Sequence, residues 1–259
     1  MKVKVVENPP VDPREFDLPA GFKEEHLEDV VEIFNTPLVG HYNWDYTDAD
    51  TRIKKLYELG KELNWNGSID LDWSNGLKKG EPPIKADLIA RMEGPLAALP
   101  EEERLEYMRH DQAWTLSQFL HGEQGAMLVA SQLVSCAPTY QAKLYAASQT
   151  FDEARHVEVF ARYLKEIHGL EYPINKNLKA LIDKILSDER WDLKFIGMQI
   201  IIEGLALAAF QTTKETSNCP LLRQLVHYVI RDEARHVTFG VNYLQDFLKT
   251  LSRQEVEDR

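Results

Sequence analysis

Two copies of one pentapeptide carry the most chemistry in this chain. Asp152–His156 and Asp232–His236 both read DEARH, and the likeness runs on to Leu164 and Leu244 as DEARHVEVFARYL and DEARHVTFGVNYL. In each copy a glutamate and a histidine stand three apart, so on a helix they share one face. Glu153 with His156, and Glu233 with His236, can each offer a carboxylate oxygen and an imidazole nitrogen to a metal ion. The copies are 80 residues apart, and the same offset carries Glu123 in HGEQGA onto Glu203 in IIEGLA. Each half therefore has one plan: a helix with a lone internal glutamate, then a helix with Glu-x-x-His.

Glu203 sits inside MQIIIEGLALAAF, a stretch apolar nearly all round that must be buried. An isolated carboxylate there would cost several kcal/mol or stay neutral. Four such carboxylates in one core would repel each other unless two divalent or trivalent cations lay between them. Four Glu and two His make a hard, oxygen-rich set that favours iron or manganese over zinc.

Long helices have to position these residues. The apolar spacing predicts helices over about 102–135, 140–168, 193–216 and 220–251, with a connecting helix over 176–188. Pro138 stops the first, Gly169 ends the second, and Pro220 opens the last at its first turn. Long helices with short joints make an all-α helix bundle. Residues 1–100 differ: a helical patch, DTRIKKLYELGKELN, alternates with loops such as NWNGSIDLDWSNG and KKGEPPIK. The expectation is an N-terminal wrapping region over 1–100 on a metal-binding bundle over 101–259, together one structural domain. Trp44, Trp65 and Trp73 are read as wedges between its loops and the bundle.

Composition narrows the class. Among 259 residues, 30 Lys and Arg against 42 Asp and Glu give a net charge of -12, unlike the basic footprint of a nucleic-acid binder. Two cysteines, Cys136 and Cys219, exclude a disulfide framework and a thiolate metal site. The first residues lack a secretory h-region. The apolar run over 195–210 is short for a membrane span and is interrupted by Gln199 and Glu203. A soluble, cytoplasmic protein is expected.

Residues 102–251 resemble the ferritin-like diiron-carboxylate superfamily, and the DExRH form resembles its oxygen-activating branch. That branch includes multicomponent monooxygenase hydroxylases, acyl-carrier-protein desaturases, ribonucleotide reductase small subunits and arylamine N-oxygenases. The resemblance implies a ferritin-like bundle in which Glu123, Glu153, His156, Glu203, Glu233 and His236 are the metal ligands. It implies that Asp152 and Asp232 each accept a hydrogen bond from the histidine of the opposite helix, with Arg155 and Arg235 neutralising them. It also implies two iron ions, or manganese or a mixed manganese–iron pair, with dioxygen as co-substrate. The activity implied is C–H hydroxylation, desaturation or amine N-oxygenation of a small organic substrate. No catalytic residue beyond the ligands is indicated.

Phe119 and Met127 lie four either side of Glu123, and Gln199 and Leu207 four either side of Glu203; these four are the candidate substrate-pocket residues. Departures from the branch are specific. Leu207 stands where monooxygenase hydroxylases have threonine, Ala130 where radical-forming reductase subunits have tyrosine, and Val229 where arylamine N-oxygenases have an extra histidine. His227, His121, His26, His41, His110 and His168 have no ligand spacing. With no flavin or NAD motif, a ferredoxin or flavin reductase is the expected electron donor; a homodimer is also expected. The alternatives are a ferritin- or rubrerythrin-like protein for metal storage or peroxide detoxification, and a ribonucleotide reductase small subunit-like protein.

Overall fold

The computed structural model describes residues 34, 36, 38–47 and 51–259. The chain divides into two units, Met1–Asn35 and Thr36–Arg259, and the elements below all belong to the second. Helix α1, Arg52–Glu62, starts where the Thr51 hydroxyl accepts from the Lys54 amide. Helix α2, Glu101–Cys136, opens on Glu101, Glu102 and Glu103 at the positive end of its dipole. Helix α3, Tyr140–Tyr163, is capped by Thr139 and runs on as a π-helical turn, Leu164–His168. Gly169 closes that turn at φ 61, a left-handed conformation that costs a glycine nothing. Asn175 caps α4, Lys176–Ser187. Helix α6, Pro220–Leu248, begins at its proline.

Helix α5 is not uniform. It is α-helical over Trp191–Lys194, π-helical over Phe195–Ile202 and α-helical again over Glu203–Thr216. The wider π turns rotate everything beyond them; each extra residue turns the helix face by roughly 100°. Over Trp191–Thr216, 26 residues, α5 is long and apolar enough by composition to cross a membrane, a longer run than 195–210 suggested. The two polar interruptions of the 195–210 run, Gln199 and Glu203, are both buried.

Helix α2 packs along α3 and α5 along α6, so the two halves of the sequence repeat form two helix pairs; α1 lies against α3 and α6. Apolar clusters close both ends of the bundle. One stacks Phe195 on Tyr243 (centroids 5.3 Å) with Phe239 and Trp191 around them. The other holds Phe160, Phe210, Tyr163 and Trp65. Burying each phenylalanine stabilises the fold by roughly 1.5–3 kcal/mol. Between α5 and α6 the approach is so close that a Cβ on Gly240 would lie 2.6 Å from Gln199 Cβ.

Among the described residues no strand forms. An isolated antiparallel bridge, Ile84 with Ser217, ties KKGEPPIK to the α5–α6 corner, where Lys85 N donates to Thr216 O. The three tryptophans differ. Trp65 is a buried wedge, and Trp73 is half-buried under the Arg162 guanidinium. Trp44 is no wedge: it is 72% exposed and stacks on the equally exposed Tyr42. No long apolar run flanks it to supply a partner surface.

His168, at the end of the π turn, is buried; its Nε2 donates to Gln112 Oε1 while Arg109 donates to its carbonyl. Burial, and then the Arg109 charge, push its pKa down to about 4. The unfolded chain therefore binds this proton at a higher pH than the folded chain does. Stability is expected to be full above pH ~6.5 and to fall by up to roughly 3 kcal/mol as the pH drops toward 4. Urea unfolding of the wild type against His168→Leu across that range checks it: the variant should lack this share of the slope.

Candidate metal centre

Each helix of the two pairs delivers its part at mid-length. Glu123 comes from α2, Glu153 and His156 from α3, Glu203 from the first turn after the π segment of α5, and Glu233 and His236 from α6. All six are at most 5% exposed. Their donor atoms form two groups, each with all atoms within 4.8 Å of one another: Glu123, Glu153, His156 and Glu233, then Glu153, Glu203, Glu233 and His236. Glu153 and Glu233 belong to both groups and so lie between them. His156 Nδ1 is 3.1 Å from Glu123 Oε2, 3.2 Å from Glu153 Oε2 and 3.1 Å from Glu233 Oε1. His236 Nδ1 is 3.0 Å from Glu153 Oε1 and 3.4 Å from Glu233 Oε2. Both imidazoles therefore turn Nδ1 to the centre.

The electrostatics are those of a charge excess in a dry place. Burial, then the Glu233 charge, push the Glu123 pKa well above the ordinary carboxylate value. Burial lifts Glu203 as well, against the pull of His236. Burial also works against ionised Glu153, but His236 and His156 outweigh it and hold Glu153 well below the ordinary range. Burial works to lower both imidazoles, yet the carboxylates around them lift both well above the ordinary histidine value.

A second layer holds the imidazoles from behind. His156 Nε2 donates to Asp232 Oδ2 at 3.2 Å, and His236 Nε2 donates to Asp152 Oδ2 at 3.2 Å, so each histidine is fixed by the aspartate of the opposite helix. Arg155 bonds Asp152 on its own helix and Asp232 at 3.1 Å across the gap. Arg235 likewise bonds Asp232 at 2.8 Å and Asp152 at 2.9 Å. The four charges form a closed square that sets both imidazole tautomers.

The sequence reading missed three members of this layer. Gln149 donates to Glu203 Oε1 at 2.7 Å and Glu153 Oε1 at 3.2 Å. Trp65 Nε1 donates to Asp232 Oδ2 at 2.6 Å, and Asn64 accepts from Arg155. Gln149 lies four before Glu153, one helical turn, and that spacing is a signal the sequence does carry. Trp65 and Asn64 come from a loop about ninety residues upstream, with no periodicity to mark them.

The donor set fits two cations. Glu203 Oε2 is buried with no hydrogen-bond partner, and Glu233 Oε1 and His236 Nδ1, though 3.1 Å from His156 Nδ1 and 3.0 Å from Glu153 Oε1, make no aligned hydrogen bond, although such atoms are nearly always satisfied. Hard oxygen donors with two imidazoles suit iron or manganese.

A cavity of about 240 Å3 opens beside the centre, bounded at its inner end by Glu123, Glu203 and Glu233. Phe119 lines it, set edge-on to Phe210 at 4.7 Å. Met127, Gln199 and Leu207 do not line it, which corrects the sequence reading. On α2 and α5 the cavity side is reached three residues after each glutamate, by Ala126 and Ala206, not four after. Gln199 is carried away by the π turns and packs behind Gln149 and against Gly240.

The remaining histidines have other partners. His121 donates to Tyr172 O, His110 contacts Glu106 and Tyr172, and exposed His227 meets Lys214. His41 is exposed, and His26 lies outside the described residues. Val229, where an extra histidine ligand would fall, is wholly buried in the apolar cluster with Leu225 and Val226.

Residues 46–257 match the family described as P-aminobenzoate N-oxygenase AurF. No curated protein matches the chain. Among solved structures, an R2-like ligand-binding oxidase with aerobically reconstituted Mn/Fe cofactor after a long soak is 22% identical, with a TM-score of 0.57 over 80% of this chain and 75% of that one. A glycine-to-leucine variant of an R2-like ligand-binding oxidase, anaerobically reconstituted with Mn/Fe, is 21% identical, with a TM-score of 0.59 over 82% of this chain and 79% of that one. At that identity the likeness shows the fold: a ferritin-like helical bundle.

The Trp65–Asp232 bond is a buried bond to a charged acceptor. Trp65→Phe keeps most of the packing and removes the donor, and it is expected to lower stability by about 1.5–3 kcal/mol, read from urea unfolding curves.

Proposed function

The chain belongs to the P-aminobenzoate N-oxygenase AurF family, and from that premise we propose that it is a dioxygen-activating oxidase with a dinuclear metal centre that acts on a small organic amine. The observation that carries this reading is the pair of donor groups sharing Glu153 and Glu233 beside an apolar cavity. Glu123 and His156 would hold one metal and Glu203 and His236 the other, with Glu153 and Glu233 between them. Two iron ions, or a manganese–iron pair, supply redox chemistry with dioxygen when bound.

The protein's own residues supply the rest. The Asp152–Arg155–Asp232–Arg235 square keeps both Nε2 atoms protonated, which leaves both Nδ1 lone pairs aimed inward. Gln149 orients Glu203 and Glu153 through its amide. Phe119, Phe210 and the small side chains of Ala126 and Ala206 leave a dry space against three of the carboxylates. A substrate amine placed there would lose water and meet the centre directly. Electrons arrive from an external ferredoxin or flavin reductase. The chain is proposed to work in the cytoplasm as a homodimer; the part of the expected wrapping region over 1–33 lies outside the described residues.

The test is metal content per chain with amine-dependent oxygen uptake under chemical reduction. About two metals per chain, with uptake and an oxidised amine product, is the expected result; a chain that binds no iron or manganese overturns the reading. The sharing pattern predicts more. Glu123→Ala and Glu203→Ala should each cost one metal of the two, whereas Glu153→Ala should cost both, as counted by elemental analysis after desalting.

A further inference from the structure

Resting on that reading, the cavity defines the substrate more narrowly than the family description does. The ionisable side chains that line it are Glu123, Glu203 and Glu233, all buried, and a reacting amine would sit beside them. Leu178, Leu181 and Leu205 also line it, and the exposure of Leu205 (67%) and Leu181 (36%) carries this apolar lining out to the surface. Among the described residues no lysine, arginine or histidine lines the cavity. The neutral polar side chain there, Gln118, is already committed. Its Oε1 accepts from Asn175 N at 2.6 Å, and its Nε2 donates to Pro173 O at 3.1 Å and Trp114 O at 3.4 Å.

An acid group on the far side of a substrate ring would lie along this apolar lining and shed part of its water with no cation or free donor there to replace it. A desolvated carboxylate without a countercharge or donors is strongly disfavoured, while a methyl or other apolar group gains by leaving water. We propose that the substrate is an arylamine uncharged away from its nitrogen, and that p-aminobenzoate, whose carboxylate lies opposite the amine, is discriminated against by this cavity.

The test compares binding of 4-methylaniline and p-aminobenzoate to the metal-loaded protein by calorimetry, with metal counted in the same samples. The methyl compound should bind at least tenfold more tightly. Leu178→Arg adds a cation to the apolar lining and should reverse the preference. Ala206→Phe should abolish binding of 4-methylaniline while two metals per chain remain. Equal or tighter binding of p-aminobenzoate to the wild type, or no binding of either compound to protein holding two metals, overturns this inference and leaves the dinuclear reading standing. Undiminished binding in Ala206→Phe overturns it too. Protein that holds no metal overturns the dinuclear reading and this inference with it.

Discussion

Everything in this bundle answers to the burial of four carboxylates within a few ångströms of one another. Glu123, Glu153, Glu203 and Glu233 have almost no contact with water, and a hydrophobic core offers them no dielectric relief. Such a group can exist only with countercharge, and the structure supplies it in layers. Two imidazoles lie among the carboxylates, and behind them two aspartates and two arginines close into a square. The outermost layer is neutral, with Trp65, Asn64 and Gln149 satisfying what remains. Cations between the carboxylates would complete the balance, which is why three central atoms stand without an aligned hydrogen bond.

That demand explains the architecture better than helix propensity does. The two pairs, α2 with α3 and α5 with α6, have to bring donors from four helices to one point while excluding solvent. The aromatic clusters at either end provide the exclusion. The π-helical stretch Phe195–Ile202 immediately precedes Glu203, and it breaks the symmetry that the 80-residue repeat would otherwise impose. The corresponding stretch of α2 before Glu123 is regular α-helix. One half of the repeat is thus adjusted locally, and the cavity opens between the adjusted helix and the regular one, where Ala126 and Ala206 leave room.

The second layer is asymmetric in the same way. Asp152 and Asp232 hold equivalent places in the repeat, but only Asp232 also accepts from an indole, Trp65 of the loop after α1. Burial opposes the charge on Asp232, yet the hydrogen bond from His156, the nearby charges and Trp65 hold its pKa below the ordinary aspartate value. His156 is thereby backed by a more firmly anionic partner and a stacked ring, at 6.3 Å between centroids, than the repeat alone would give it.

The sequence by itself determined the chemistry of this protein. A repeated DEARH, offset by the same interval as two lone glutamates, names six donors whose types suit few other purposes, because helical spacing of three and burial of acids are local facts. The crossed aspartate–arginine square was an implication of the family resemblance; i, i+3 spacing by itself carries only the pairing of Asp152 with Arg155 and of Asp232 with Arg235 within each helix. What only the tertiary structure decided is directional. Whether the cavity would open three or four residues beyond each glutamate depends on how neighbouring helices pack, and it opens at three on both the regular α2 and the π-interrupted α5. Trp65 joins the centre through a contact spanning 167 residues, and Trp44, of the same type in the same region, ends in solvent. Long-range packing chose between them, since residue type and local pattern are the same information for both.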